Sequence, residues 1–248
     1  MSTYRMLVAY DGGPFHGFQR QPGLETVQGR LESALAKITG RQILTSAAGR
    51  TDAGVHALGQ VMSFKTEAIA DVDGCAVRLN SLCGPEVAVI EMEEAAEGFD
   101  ARFSATSRTY EYGILNRPVH DPFARHTTWH VAVELDEQLM AKGAQALLGE
   151  HSFESFARVE EGKNPMRRIE SIEIERDGEL ITIRITANSF LQQMVRSIVG
   201  TLVQVGAGKT HPDDLDRILH ARDRSAAGPV APPHGLFLVS VSYPGELL

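Results

Sequence analysis

Residues Phe190 to Val205, FLQQMVRSIVGTLVQV, are the segment of this chain hardest to accommodate, because they are apolar on almost every side of a helix. A helix that is apolar all round has to be buried. A bilayer is not the place for it, since a span needs about 20 apolar residues and Gln192, Gln193, Arg196 and Gln204 interrupt this run. It must therefore lie inside a folded core, and the rest of the 248 residues must supply the layers that cover it. That length suits two half-domains sharing a core. With 43% hydrophobic and 23% charged residues, the composition belongs to a globular chain and not to a disordered one.

Periodicity and turn residues predict those layers. Arg5–Tyr10 alternates as a strand and is stopped by Asp11-Gly12-Gly13-Pro14. Thr26 caps a helix carrying Val27, Leu31, Ala34, Leu35 and Ile38, which Gly40 closes. Strands near Gln42–Ser46 and Gln60–Lys65 flank the loop AGRTDAGVH. A helix over Asp71–Leu82 and a strand over Val87–Met92 follow, then a strand over Ser107–Leu115 with Tyr110, Tyr112 and Ile114 on one face. Asp136–Leu148 reads as an amphipathic helix ended by Gly149. Ile169–Glu175 and Leu180–Ala187 read as a hairpin turned at Asp177-Gly178. A short helix over Asp213–His220 and a strand over Leu236–Tyr243 close the chain. The expected class is α+β, with an antiparallel sheet flanked by helices. Two half-domains of loosely similar rhythm are expected, residues 1–116 and 117–248. The division falls where Pro118, Pro122 and three histidines break the pattern.

Several function classes are set aside. MSTYRMLVAYDGG has neither the basic nor the apolar stretch of a secretory signal, so the cytoplasm is the expected compartment and no membrane partner is expected. Cys75 and Cys83 are too few for a disulfide framework and are not spaced as CxxC; both are expected to be small buried side chains. Gly206-Ala207-Gly208-Lys209-Thr210 ends like a phosphate-binding loop, but Val203 stands where that pattern needs glycine, so no nucleotide cofactor is expected. His126 and His130 lack a third metal ligand, and Trp129 with Thr127 and Thr128 suits a strand at least as well as a helix. The net charge of −8 argues mildly against nucleic acid, yet steering depends on where charge lies. Lysine occurs only at 37, 65, 142, 163 and 209, so the cations are mostly arginines, whose planar forks suit phosphate.

The most informative string is Ala48-Gly49-Arg50-Thr51-Asp52-Ala53-Gly54-Val55-His56. Glycines on both sides let the backbone turn sharply and approach a ligand, and between them stand a cation, a hydroxyl and a carboxylate. A bare Asp-Ala-Gly is usually only a turn; the full string is far more specific. AGRTDAGVHALGQV resembles the active-site segment of the tRNA pseudouridine synthase A family. YDGGPFHGFQRQ, TVQGRLESAL, FDARFSATSRTYEYGI, LLGEHSFESF and ANSFLQQMVRSIVGTLVQVG resemble further segments of that family, in its order and over nearly the whole chain. Phe18 stands where the family usually has tryptophan, and Leu82-Cys83-Gly84-Pro85 replaces its leucine-proline turn.

The resemblance implies a pseudouridine-synthase-like fold with an active-site cleft between the halves. It also implies conversion of uridine to pseudouridine at about positions 38 to 40 of the tRNA anticodon arm, by a homodimer without metal or cofactor. Asp52 is then the nucleophile. Burial favours the protonated form of a carboxylic acid, and the resemblance makes Arg196 the cation that keeps Asp52 ionised. A lone arginine in such a helix otherwise reaches the surface along its own stem. Tyr110 matches the family's active-site tyrosine, whose ring can stack on the target base; a strand-face aromatic is otherwise core. Arg50 matches the arginine beside the nucleophile and is expected to help extrude the nucleotide. Arg20, Arg102, Arg108, Arg167 and Arg168 are candidates for phosphate contacts. His56 is expected to fix loop geometry. The alternative is a non-catalytic RNA-binding or tRNA-folding module, which needs no aspartate near phosphates. A glycoside-type hydrolase would need a second carboxylate that no motif supplies.

Overall fold

The computed structural model describes residues 1–159 and 162–245. They form two compact units, Met1–Arg108 together with the residues from Phe237 on, and Thr109–Leu236.

In the first unit, β1 (Ser2–Tyr10) runs between β3 (His56–Thr66) and β4 (Val87–Ala95), antiparallel to both. Its alternation turns Tyr4, Met6, Val8 and Tyr10 inward, as the period of two requires. Met6 lies opposite Met62 on one side and Met92 on the other. The short β2 (Thr45–Ala47) lies along β3, and β10 (Leu236–Ser242) joins β3 in parallel, Phe237 opposite His56. That pair is the parallel one beside the antiparallel pairs of β1, β2, β3 and β4. Parallel neighbours need a long crossover, and residues 67–235 provide the separation.

Two helices add to this unit's core. In α1 (Val27–Thr39) Val27, Leu31, Ala34 and Leu35 are buried, and in α2 (Val72–Cys83) Cys75, Leu79 and Cys83. Each such leucine contributes about 1.5–3 kcal/mol by leaving water. Both cysteines are free thiols, as expected, and burial raises the pKa of each. Both helices start on side-chain caps: Thr26 Oγ1 accepts from Gly29 N at 3.3 Å and Asp71 Oδ1 from Gly74 N at 2.8 Å. Gly40 closes α1 at φ 71, donating its N–H to Ala36 O. Thr26 is itself buried, so Thr26→Ala should destabilise the protein by about 1 kcal/mol. For a chain of this size thermal unfolding should register a fall in Tm of about 2–4 °C.

In the second unit, β5 (Ser107–Asn116) lies beside β9 (Leu180–Ala187), followed by β8 (Met166–Asp177) and β7 (Gly149–Ser152), with β6 (Trp129–Val131) parallel to β5. Ile181, Ile183, Ile185 and Ala187 of β9 are all buried. The β8–β9 hairpin turns at Gly178-Glu179, one residue later than expected, with Gly178 at φ 57 and Asp177 opposite Leu180. α3 (Glu137–Ala144) is shorter than its apolar pattern suggested. The pattern continues as a 3-10 turn over Gln145–Leu147, and Gly149, at φ 95, opens β7 where a helix stop was expected.

α4 (Met194–Gly206) is the buried helix, with Arg196 and Gln204 its two half-buried residues, and α5 (Asp214–Ala221) follows it. α4 begins four residues later than its apolar run. Gln193 takes φ 61, which a right-handed helix excludes. Gln192 instead accepts from Arg158 N at 3.1 Å as an isolated β-bridge. No helix among the described residues is long and apolar enough to cross a membrane.

Candidate active site

The loop expected to carry the chemistry runs from the end of β2 to the start of β3, within the first unit. Both of its sides are gripped by hydrogen bonds. Ala48 N donates to Val61 O at 2.9 Å, and Val55 N to Asp52 O at 3.2 Å. Gln60, wholly buried on β3, takes hold of Gly49 through both of its main-chain polar groups: its Nε2 donates to Gly49 O at 2.8 Å and its Oε1 accepts from Gly49 N at 3.2 Å. The Thr51 hydroxyl lies 2.8 Å from the Tyr10 hydroxyl, and Thr51 O accepts from Phe18 N at 3.1 Å. Gly54, at φ 79, makes the turn that follows Asp52.

The segment after β1 packs against this loop. Gly17, at φ 94, leaves so little room that a Cβ there would come within 3.3 Å of Thr51 O and Ala53 N. His56 is buried, stacks on Phe237 at 4.7 Å, and accepts at Nδ1 from Gly12 N at 3.1 Å. It fixes loop geometry, as its apolar neighbours suggested. Asp52 is thereby carried on a stiff loop, itself half-buried, with Arg50 exposed beside it.

Arg108 opens β5 beside the root of the loop. It is 8% exposed, and its guanidinium is occupied by main-chain carbonyls: Nε and Nη2 donate to Ala48 O at 3.2 and 3.1 Å, Nη2 also to Arg102 O at 2.8 Å, and Nη1 to Ala105 O at 3.2 Å. The bonds to Ala48 O brace the root of the Asp52 loop. The strand held the signal: Arg108, Tyr110, Tyr112 and Ile114 share the period of two and are all buried. Sequence reasoning missed Gln60 and Tyr10. An amide on the same face of β3 as Met62 and Phe64 was the available clue, since a buried polar group needs partners.

Arg20 and Arg102, the two remaining phosphate-contact candidates of this unit, are exposed. Arg20 is exposed and pairs with the buried Glu32 at 2.5 Å, which also accepts from Thr45 N at 2.9 Å. Arg20 lines a groove of about 400 Å³ along α1, together with Gln21, Glu25, Arg30 and Lys37. Arg102 is exposed and lies 5.4 Å from the ring of Phe103, which is 81% exposed.

In the second unit Tyr110 is buried on β5, its ring edge-on to Phe190 at 5.1 Å. Arg196 meets Ala231 twice: its Nε donates to Ala231 O at 2.7 Å, and its main-chain carbonyl accepts from Ala231 N at 3.0 Å. The first bond directs the side chain, and the second ties the main chain of residue 231 to α4. Arg167 and Arg168 follow each other on β8, Arg168 exposed and Arg167 half-buried. Arg167 Nη1 donates to Asn164 O at 2.9 Å and Met166 O at 2.6 Å, while its Nε is buried without a partner among the described residues. Burial lowers the pKa of this guanidinium, so an anion arriving there would meet a poorly compensated cation. His130 turns its Nε2 to Arg117 O at 2.8 Å. Among the described residues no cluster of three or more His, Cys, Asp or Glu side chains is arranged to hold a metal.

A family model described as tRNA pseudouridine synthase matches residues 6–104 and 144–244. A tRNA pseudouridine synthase A of Paramagnetospirillum magneticum is 46% identical over 245 residues, covering 98% of this chain and 96% of its own. One of Rhizobium leguminosarum bv. trifolii is 43% identical over 248 residues, covering 98% and 92%. One of Maricaulis maris is 42% identical over 247 residues, covering 99% of each. The resemblance carried by the loop and the flanking motifs therefore extends over the whole fold, and the chain belongs to the tRNA pseudouridine synthase family, isomerases that convert uridine to pseudouridine in tRNA.

Proposed function

We propose that this enzyme isomerises uridines at about positions 38 to 40 of the tRNA anticodon arm, with Asp52 as the nucleophile. The observation that carries the reading is the loop itself. A carboxylate beside an arginine is held on a segment bonded at Gly49, Thr51 and Asp52, and a loop so stiff suits presentation of one reactive group to an everted nucleotide.

In the reaction the bond from N1 of uracil to C1′ breaks, the base turns, and a bond from C5 to C1′ forms. C5 gives up its proton and N1 gains one, so the overall change is an isomerisation. A carboxylate can add and then leave, which lets one group serve both stages. Arg196, directed by the Ala231 peptide, is the cation that keeps Asp52 ionised. Tyr110 stacks on the target base, and Arg50 helps to draw the nucleotide out of its helix. Arg20, Arg102, Arg167 and Arg168 take backbone phosphates. In this reading residues 1–116 present the nucleophile and residues 117–248 the Arg196 helix. The enzyme acts in the cytoplasm as a homodimer.

Purified protein, given tRNA tritiated at uridine C5 and no added metal or nucleotide, should release the label into water. Mapping of the product should find pseudouridine at positions 38 to 40. Free uracil as the product, or modified uridines confined to another arm of the tRNA, would overturn the proposal.

A further inference from the structure

We propose that Tyr10 and Gln60 are positioning residues for the isomerisation, acting through Thr51 and Gly49 to set the place of the Asp52 carboxylate. The inference rests on the assignment of Asp52 as nucleophile and adds what holds it there.

Three polar side chains are buried together beneath the loop: Tyr10 is 5%, Thr51 8% and Gln60 0% exposed. Polar groups buried without partners are costly, so a purely packing role would be served better by apolar side chains. Here each finds a partner in the loop or in another of the three. The Gln60 amide holds both the N–H and the C=O of Gly49, which fixes the two peptide planes on either side of its Cα as a strand partner would. Its Nε2 also comes within 3.5 Å of the Tyr10 hydroxyl, which reaches Thr51 Oγ1 at 2.8 Å. Asp52 is the residue after Thr51, and its own carbonyl accepts from Val55 N. The carboxylate is therefore set by anchors on both sides of it in the chain, and Arg108 braces Ala48 just upstream. Tyr10 stays neutral while the enzyme works, because burial pushes its hydroxyl up to about 12. The network can thus hold one geometry without titrating.

A merely structural network would affect thermal stability and leave the folded enzyme's rate untouched. A positioning network moves the chemical step, because a displacement of about 1 Å can slow a reaction about a hundredfold. The test is single-turnover tritium release from the C5-labelled tRNA by the full chain, with tRNA affinity and Tm measured alongside. Tyr10→Phe and Thr51→Val each keep shape and remove one hydroxyl. Each should lower the single-turnover rate about ten- to a hundredfold, with tRNA affinity within about twofold of the parent. Thr51→Ser, which retains the hydroxyl, should restore most of the rate. If Tyr10→Phe does not fold, the Thr51→Val and Thr51→Ser pair decides the matter alone. Wild-type rates in folded Thr51→Val, with Asp52→Asn inactive, would overturn this inference and leave the nucleophile standing. Full activity in Asp52→Asn would remove the nucleophile assignment and this inference with it.

Discussion

Asp52→Asn in the full chain should lower pseudouridine formation by about a thousandfold or more while leaving tRNA affinity nearly unchanged. The two side chains have the same shape, but an amide carries no negative charge and neither adds to a carbon centre nor leaves it readily. The bonds to the main chain of Gly49, Thr51 and Asp52 and to the Thr51 hydroxyl do not involve that carboxylate, so the exchange leaves them in place. Phosphate contacts supply most RNA affinity, and replacing a carboxylate by an amide removes none of them. Rate and affinity should therefore separate. Single-turnover tritium release measures the first and filter binding the second. A variant with parental rate would mean that another group attacks the nucleotide. A variant that loses binding in step with rate would mean that Asp52 shapes the RNA site instead of reacting.

The elements legible in the sequence were those specified by neighbouring residues. Thr26 and Gly40 bound α1 where local rules place a cap and a stop, and Asp71 does the same at the start of α2. The burial of α4 followed from its apolar surface alone. What the sequence did not disclose depends on partners distant along the chain. Phe190–Gln193 continues the apolar run of α4 yet is not helical, because Gln192 pairs with Arg158 and Gln193 adopts a left-handed backbone. β7 is short and polar, and it is a strand because β8 pairs with it.

The same division runs through the candidate site. The Asp52 loop was legible because its glycines, carboxylate and cation lie within nine residues. The support beneath it was not, since Tyr10 and Thr51 are 41 residues apart and Arg108 and Ala48 are 60 apart. Arg108 shows what such a distance hides. A charge count treats every arginine as available to phosphate, whereas strand alternation had already put this one on the inward face with Tyr110 and Tyr112. Once inside, a guanidinium needs acceptors, and the carbonyls of Ala48, Arg102 and Ala105 are those it found.

Gly200→Ala should be the most damaging single-methyl addition to the fold, and the reason opposes helix propensity. Gly200 lies inside α4, where alanine would ordinarily be favoured by about 1 kcal/mol. The added Cβ, however, would fall 1.7 Å from Pro229 O and 2.9 Å from Pro229 C, which are backbone atoms with no rotamer to escape into. The segment it would push is tied to α4 on both sides: Gly228 N donates to Thr201 Oγ1 at 2.9 Å, and Ala231 N to Arg196 O at 3.0 Å. Relief of the clash therefore breaks or stretches these bonds at about 1 kcal/mol each in addition to about 1–3 kcal/mol of overpacking. After the gain in propensity is subtracted, a net loss of about 3 kcal/mol is expected, a fall in Tm of about 6–12 °C for a chain of this size. Differential scanning calorimetry measures it directly. Displacement of Ala231 also removes a contact that directs the Arg196 side chain, whose Nε donates to Ala231 O, so the folded variant should lose catalytic rate well below its melting temperature. An unchanged or raised Tm would mean that residues 228–231 yield without loss, and the Ala231 peptide would then be no guide for Arg196.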